Sequence, residues 1–270
     1  MAYVNGIHRR QGVYCGQHKT RDDYPLLSSH YNYTVNDCSV MCKLTESYHV
    51  KSKVGRQVSY LFEVPPEASV VRFEAKVGSI QVKAIVEEKG EANNKYQQAV
   101  VAGTQGWKLD KVNDEVFSID LGNAVQNSLI TVYVYYLHLI SSDTLEDSLR
   151  LTVRAGLAPR LGGAPGGIIS APTASVGEDA VTITVGINSV VKGSKILNLQ
   201  CISHPADTSI TLGFSDTSFE KMTVAQQAQA HDIRKAYVKF TSQKFFYSNF
   251  VLVWNVLYID YAWCSVKRLD

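Results

Sequence analysis

Apolar and polar positions alternate along most of this chain, with the period of two that marks a strand with one buried face. In "VVRFEAKV", Val71, Phe73, Ala75 and Val77 fall on one side and Arg72, Glu74 and Lys76 on the other. "SVMCKLTESYHV" puts Val40, Cys42 and Leu44 on one face, and "VSYLFEV" does the same with Val58, Tyr60, Phe62 and Val64 before stopping at Pro65-Pro66. Gly78-Ser79 suits a two-residue hairpin turn, from which "IQVKAIVE" returns. "EVFSIDLG" alternates through Phe117, Ile119 and Leu121, and "SLRLTVRAG" alternates again. "SLITVYVYYLHLI" is apolar at both parities, which predicts a central strand buried on both faces. Beyond residue 179, "AVTITVGI", "ISHPADTSITLGF", "AYVKF" and "NFVLVWNVLYI" read as further strands.

Two stretches break the alternation. In "VEEKGEANNKYQQAVVAG", Ala92, Tyr96, Ala99 and Val100 recur at helical spacing, Glu91 and Lys95 form an i,i+4 pair, and Gly103 stands where a C-cap belongs. The expectation is an amphipathic helix at about 90–102 lying on the sheet. Thr223 and Gln226 could form a capping box in "TVAQQAQAHDIRKA", where a short helix and a long loop both fit. Residues 158–179 are dense in Gly, Pro, Ala and Ser and make the best domain boundary. The expected organisation is an extended lead-in at 1–30, a first β-domain at 31–160, a linker at 161–179 and a second β-rich module at 180–270. Many short strands separated by turn signals point to β-sandwiches.

Composition narrows the function classes. A net charge of +2 with scattered basic residues gives no electrostatic case for a nucleic-acid partner. The longest apolar run, "LITVYVYYLHLI", is shorter than the ~20 residues of a spanning helix, so membrane insertion is not expected. No apolar h-region follows the N-terminus, which makes the cytoplasm the default compartment. Five cysteines favour reduced thiols. Cys38 and Cys42 would lie about 13 Å apart along a strand, too far to bridge, and read as small core residues. His138 reads as a hydrogen-bonded core histidine.

Catalytic patterns are missing. The seven histidines are dispersed, and no HExxH, P-loop or GxSxG occurs. "LGGAPGG" neither follows a strand nor opens a helix. "DTSIT" at 207–211 has the D-x-S-x-T form of a metal-ion-dependent adhesion site, but it follows "CISHPA" rather than an apolar strand. No enzyme activity, metal or cofactor is therefore expected.

One longer pattern runs from "YLFEVPPEASVVRFEAKV" through the helical island and "DEVFSIDLGN" to "LAPRL". It resembles the VIT domain (vault protein inter-alpha-trypsin domain). The matching positions are Phe62, Pro66, Ala68, Val70 and Phe73; Glu88, Lys89, Ala92, Tyr96, Ala99 and Gly103; Glu115, Phe117, Gly122 and Asn123; Tyr136; and Ala158, Pro159 and Arg160. This chain has Thr45-Glu46 where the family has Thr-Gln, "GNAVQNS" in place of "GNIPPGE", and "TQGWKLDK" in place of an acidic, Leu-rich stretch. The resemblance implies a VIT-type β-sandwich whose helix covers part of the sheet. The outer face of that helix, Asn93, Asn94, Lys95, Gln97 and Gln98, is either simply solvated or a partner face, with Trp107 nearby.

The region after 180 is similar to the β-rich part that precedes a von Willebrand A domain in intracellular, especially fungal, relatives. This chain stops at Asp270, as a fragment or a natural short form. The expectation is a mostly β, non-catalytic interaction or assembly module (a scaffold) that docks a protein partner or itself. The alternative is a lectin-like sandwich that binds a glycan through Trp107, Tyr247, Trp254, Tyr261 and Trp263.

Overall fold

The computed structural model describes residues 11–15, 23–51, 56–65, 67–85, 109–111, 116–140, 142–143, 148–154, 180–243 and 249–257. Sixteen strands and one short α-helix lie within them. In chain order these are β1 (Gly12–Cys15), β2 (Leu26–Asn36), β3 (Ser39–His49), β4 (Arg56–Glu63), β5 (Ser69–Val77), β6 (Ile80–Ile85), β7 (Leu109–Lys111), β8 (Val116–Ala124) and β9 (Leu129–Leu139). There follow β10 (Ser142–Asp143), β11 (Ser148–Val153), β12 (Val181–Asn188), β13 (Lys195–Cys201), β14 (Thr208–Leu212), α1 (Val224–Ala230), β15 (Lys235–Ser242) and β16 (Phe250–Leu257). The mostly β architecture is the one the alternation predicts.

One eight-stranded sheet, in the order β14-β15-β12-β2-β3-β9-β5-β6, is the spine. Two four-stranded sheets, β1-β4-β8-β7 and β10-β11-β16-β13, share a single apolar core with it. Residues on one parity of β2, β3 and β9 are buried: Tyr31, Tyr33 and Val35; Val40, Cys42 and Leu44; Ile130, Val132 and Val134. Opposite them stand Val58, Tyr60 and Phe62 of β4, while Phe240 of β15 meets Phe250 of β16 with ring centres 5.5 Å apart. Each large side chain buried there contributes roughly 1.5–3 kcal/mol.

The strands after residue 180 do not form sheets of their own. β12 lies parallel to β2 over Val181↔Ser29 to Asn188↔Asn36, and β16 pairs antiparallel with β11. The second β-rich part therefore completes the sheets begun by the first. Strand patterns in sequence do not reveal this, because alternation fixes a strand's faces but not its neighbours. The lead-in at 1–30 also contributes sheet: β1 pairs with β4, and β2 begins at Leu26.

Local expectations meet the structure as follows. Gly78 has φ +59° in the β5–β6 hairpin, where Val77 pairs with Ile80. Asp37 (φ +51°) turns the β2–β3 hairpin, and its Oδ1 accepts from Ser189 Oγ and Val190 N at 3.0 and 3.1 Å. Thr223 caps α1 with both halves of the capping box formed. Thr223→Ala is expected to cost about 1 kcal/mol of local stability, read as faster amide exchange over 224–230. β9 is central, but only one of its faces is buried: Tyr133 and Tyr135 are half-exposed, and Leu137 and Leu139 are exposed. Tyrosine accounts for this, since its ring reads as apolar while its hydroxyl tolerates water. The helix expected at 90–102 lies outside the described residues.

Cys42 is fully buried and Cys38 packs against the core. Burial pushes the Cys42 thiol up to about 12, so it behaves as a small apolar side chain. Among the described residues no helix is long and apolar enough to cross a membrane.

Candidate functional site

Two places in this fold concentrate polar chemistry. The first is internal. On β3 the buried parity that carries Val40, Cys42 and Leu44 continues to Glu46, which is fully buried. Its Oε1 accepts from Gln11 Nε2 at 2.7 Å and from Ser29 Oγ at 3.3 Å. Its Oε2 accepts from the hydroxyls of Tyr48 at 2.6 Å and Tyr60 at 2.8 Å. Ser29 sits directly across from it on β2, Tyr60 comes from the facing sheet, and Gln11 immediately precedes β1. Burial raises the carboxyl above its ordinary pKa, and the bonds from Tyr48, Tyr60, Gln11 and Ser29 oppose that rise. The cluster ties the first strand and both layers to one side chain.

Tyr60 also joins this cluster to an aromatic stack. Its ring lies 5.5 Å from Phe62, which lies 6.1 Å from Phe73 and 5.5 Å from Phe117. Three sequence-singled positions thus meet between β4, β5 and β8. Ala68 packs at the margin of the core. Gly122 has φ +76° beside the β4–β8 register shift, where its N–H donates to Asp120 Oδ1 at 3.2 Å, and Asn123 is exposed. Pro66, Ala92, Tyr96, Ala99, Gly103, Pro159 and Arg160, with the partner-face positions Asn93, Asn94, Gln97 and Trp107, lie outside the described residues.

The second place is the outer face of the eight-stranded sheet. Side chains from β3, β9 and β5 alternate away from the core there. Lys43 Nζ lies 5.4 Å from the centre of the Tyr133 ring and 5.7 Å from that of Tyr135. The Arg72 guanidinium lies 5.4 Å from the centre of the same Tyr135 ring and pairs with Glu74. Cations over aromatic rings are held by the ring quadrupole. Met41, Leu137 and Leu139 extend the patch, and Leu139 is 74% exposed. Towards β12 the face ends in an open polar cleft of about 550 Å³, lined in part by Thr34, Asn36, Asn188, Ser215, Asp216 and Lys235. Gly186 allows this shape, because the carbonyl of Ser215 crosses above it.

His138, expected in the core, lies on the core-facing parity of β9 with Val134 and Tyr136, half-buried at the strand's end; its ring centre is 6.0 Å from that of Tyr136 and its Nδ1 lies 3.3 Å from the Leu139 carbonyl. Burial lowers its pKa, so the ring stays neutral further into mildly acidic conditions than an ordinary histidine. Trp254, one of the glycan-site candidates, is buried in the core; Trp107, Tyr247, Tyr261 and Trp263 lie outside the described residues. Among the described residues, no three His, Cys, Asp or Glu side chains come together as a metal site. "DTSIT" forms a turn and the edge strand β14.

Residues 26–136 match the family model described as vault protein inter-alpha-trypsin domain. These residues form a VIT domain. They carry Met41, Lys43, Arg72, Tyr133 and Tyr135 of the outer patch and all of the Glu46 cluster except Gln11. The chain is 27% identical over 142 residues to von Willebrand factor A domain-containing protein 5A of Rattus norvegicus, covering 52% of this chain and 17% of that protein. It is 26% identical over 125 residues to protein mono-ADP-ribosyltransferase PARP4 of Mus musculus, covering 46% of this chain and 6% of that protein. The chain thus spans less than a fifth of either relative. Among solved structures, an M1 zinc metallopeptidase from Deinococcus radiodurans aligns with 86% of this chain and 42% of its own, at a TM-score of 0.38 and 7% identity.

Proposed function

We propose that this chain is a non-catalytic protein–protein interaction or assembly module that acts in the cytoplasm and docks partners on the outer face of its VIT sheet. The observation that carries the reading is the patch of Lys43, Arg72, Tyr133 and Tyr135 with Met41 and Leu137 beside it. Tyrosine, arginine and methionine are the residues enriched where protein interfaces concentrate their binding energy. The patch is presented by rigid strands, so little ordering opposes association. The VIT match and the von Willebrand A relatives support the same class of function.

The test is affinity capture from native extract with the intact chain and with the Arg72→Ala/Tyr135→Ala variant. Both side chains are at least partly exposed, so the fold should persist. The expected result is a defined partner protein retained by the intact chain and bound about 10-fold or more weakly by the variant, in line with the loss of a hot-spot side chain. Equal retention by both chains would overturn the assignment to this face.

A further inference from the structure

The two ends of the eight-stranded sheet are unlike. β6, at one edge, carries the exposed Lys83, the kind of charge that discourages strand addition. β14, at the other, reads "TSITL": no charge, no proline and no glycine. Among the described residues it pairs with β15 alone. Ile210 and Leu212 stand opposite Val238 and Ala236, so they point to the core side of the sheet. They nevertheless remain 38% and 55% exposed, because the facing layer stops short of them. That layer ends in β13, also an edge strand, flanked by the exposed Ile202 and Ile233. The Ile196 N–H donates to the Ile233 carbonyl and the Ile202 N–H to the Val251 carbonyl, which holds both at this end of the sandwich. Among the described residues, one end of the molecule therefore offers an unpaired row of backbone groups beside a strip of apolar side chains.

We propose that β14 is a docking edge and that its occupant is β14 of a second copy of this chain, paired antiparallel about a two-fold axis at Ile210. This deepens the interaction-module reading and rests on it. The strand is self-complementary in that arrangement. Ile210 faces itself, Thr208 faces Leu212, and Ser209 faces Thr211, so no like charges are opposed. Charges at the strand's ends also match. Asp207 is exposed just ahead of β14, while Lys235 lies beside its far end, its carbonyl accepting from the Gly213 N–H at 2.8 Å. Antiparallel pairing brings each Asp207 toward the partner's Lys235. The isologous contact closes after two copies, which an open edge pairing in parallel would not do. The two eight-stranded sheets become continuous, and the apolar strips of both copies face one another across the axis.

The test uses the full chain. Size-exclusion chromatography with light scattering is run over a range of concentrations, alongside mild oxidation of an Ile210→Cys variant and, as a control, an Ile80→Cys variant at the opposite edge. The expected result is a species of twice the chain mass that shifts to monomer in Ile210→Lys. A covalent dimer should form rapidly from Ile210→Cys and at least tenfold more slowly from Ile80→Cys. A chain that stays monomeric at all concentrations overturns the proposal. So does a dimer that survives Ile210→Lys and gives no cross-link at position 210. Neither result bears on partner capture by the Arg72 and Tyr135 face, so loss of this proposal is distinguishable from loss of the interaction-module reading.

Discussion

Replacing Glu46 with alanine is expected to destabilise the protein by on the order of 3–5 kcal/mol, the largest effect of any single polar substitution in the described fold. Four donors, from Gln11, Ser29, Tyr48 and Tyr60, converge on this carboxyl. Alanine leaves them in a dry cavity, and a buried donor without an acceptor costs roughly 1–3 kcal/mol. Glu46→Gln keeps the shape but turns an N–H₂ group toward groups that already donate; two hydroxyls can rotate to accept, so the expected loss is smaller, about 1–2 kcal/mol. Urea unfolding of the three chains gives the order directly.

The pH dependence of the difference between wild type and Glu46→Gln tests the electrostatics. Burial raises the folded-state pKa of Glu46 above its unfolded value. The folded state therefore binds this proton more tightly than the unfolded chain does. The contribution is fully present below the unfolded pKa and is lost as pH rises through the folded pKa. Wild type should thus gain on Glu46→Gln as the solution is acidified through that window. A difference that grows with rising pH would mean that the hydrogen bonds outweigh burial.

Gly186→Val is expected to lift the segment after β14 off the sheet, at about 1–3 kcal/mol. A Cβ at position 186 would lie 2.2 Å from the Ser215 carbonyl oxygen, a distance no real contact tolerates. The obstacle is backbone, so side-chain rotation cannot relieve it. Segment 213–234 is held from the other side as well, with Gly213 against the His231 ring and Phe219 6.3 Å from Tyr237. Amide exchange should rise across 213–234 and at α1, while the β2–β12 pairing stays protected. Exchange unchanged in that segment would show that the close crossing over Gly186 does not exist in solution.

Most strands could be read from period-two alternation, because each has one buried face and the code needs only local sequence. "VVRFEAKV" became β5 and "AVTITVGI" became β12 on that basis. β13 has no such signature: Leu197 and Leu199 are only half-buried, and Asn198 takes φ +49° at a register shift. β1 is too short to show a period. The merging of the later strands into the earlier sheets depends on long-range pairing, which a single sequence does not encode visibly. Glu46 was within reach. It continues the parity of Val40, Cys42 and Leu44, so a charged residue stood at a position the pattern assigns to the core. The donors around it come from four separate segments and could not be assembled from spacing. The outer patch shows the converse problem. Tyr133 and Tyr135 counted as apolar in the sequence and made β9 look buried on both sides, whereas in the fold they form the exposed face.

Lysine-specific cross-linking of the full chain in native extract, followed by mass spectrometry, tests the interaction face most directly. Lys43, Lys76 and Lys83 are exposed on β3, β5 and β6, at positions that point away from the core. Lys51, Lys192 and Lys221 lie outside these strands. Intermolecular cross-links to other proteins concentrated at Lys43, Lys76 and Lys83, and lost in Arg72→Ala/Tyr135→Ala, are the predicted result. Cross-links confined to Lys51, Lys192 and Lys221, or unchanged by the variant, would contradict it.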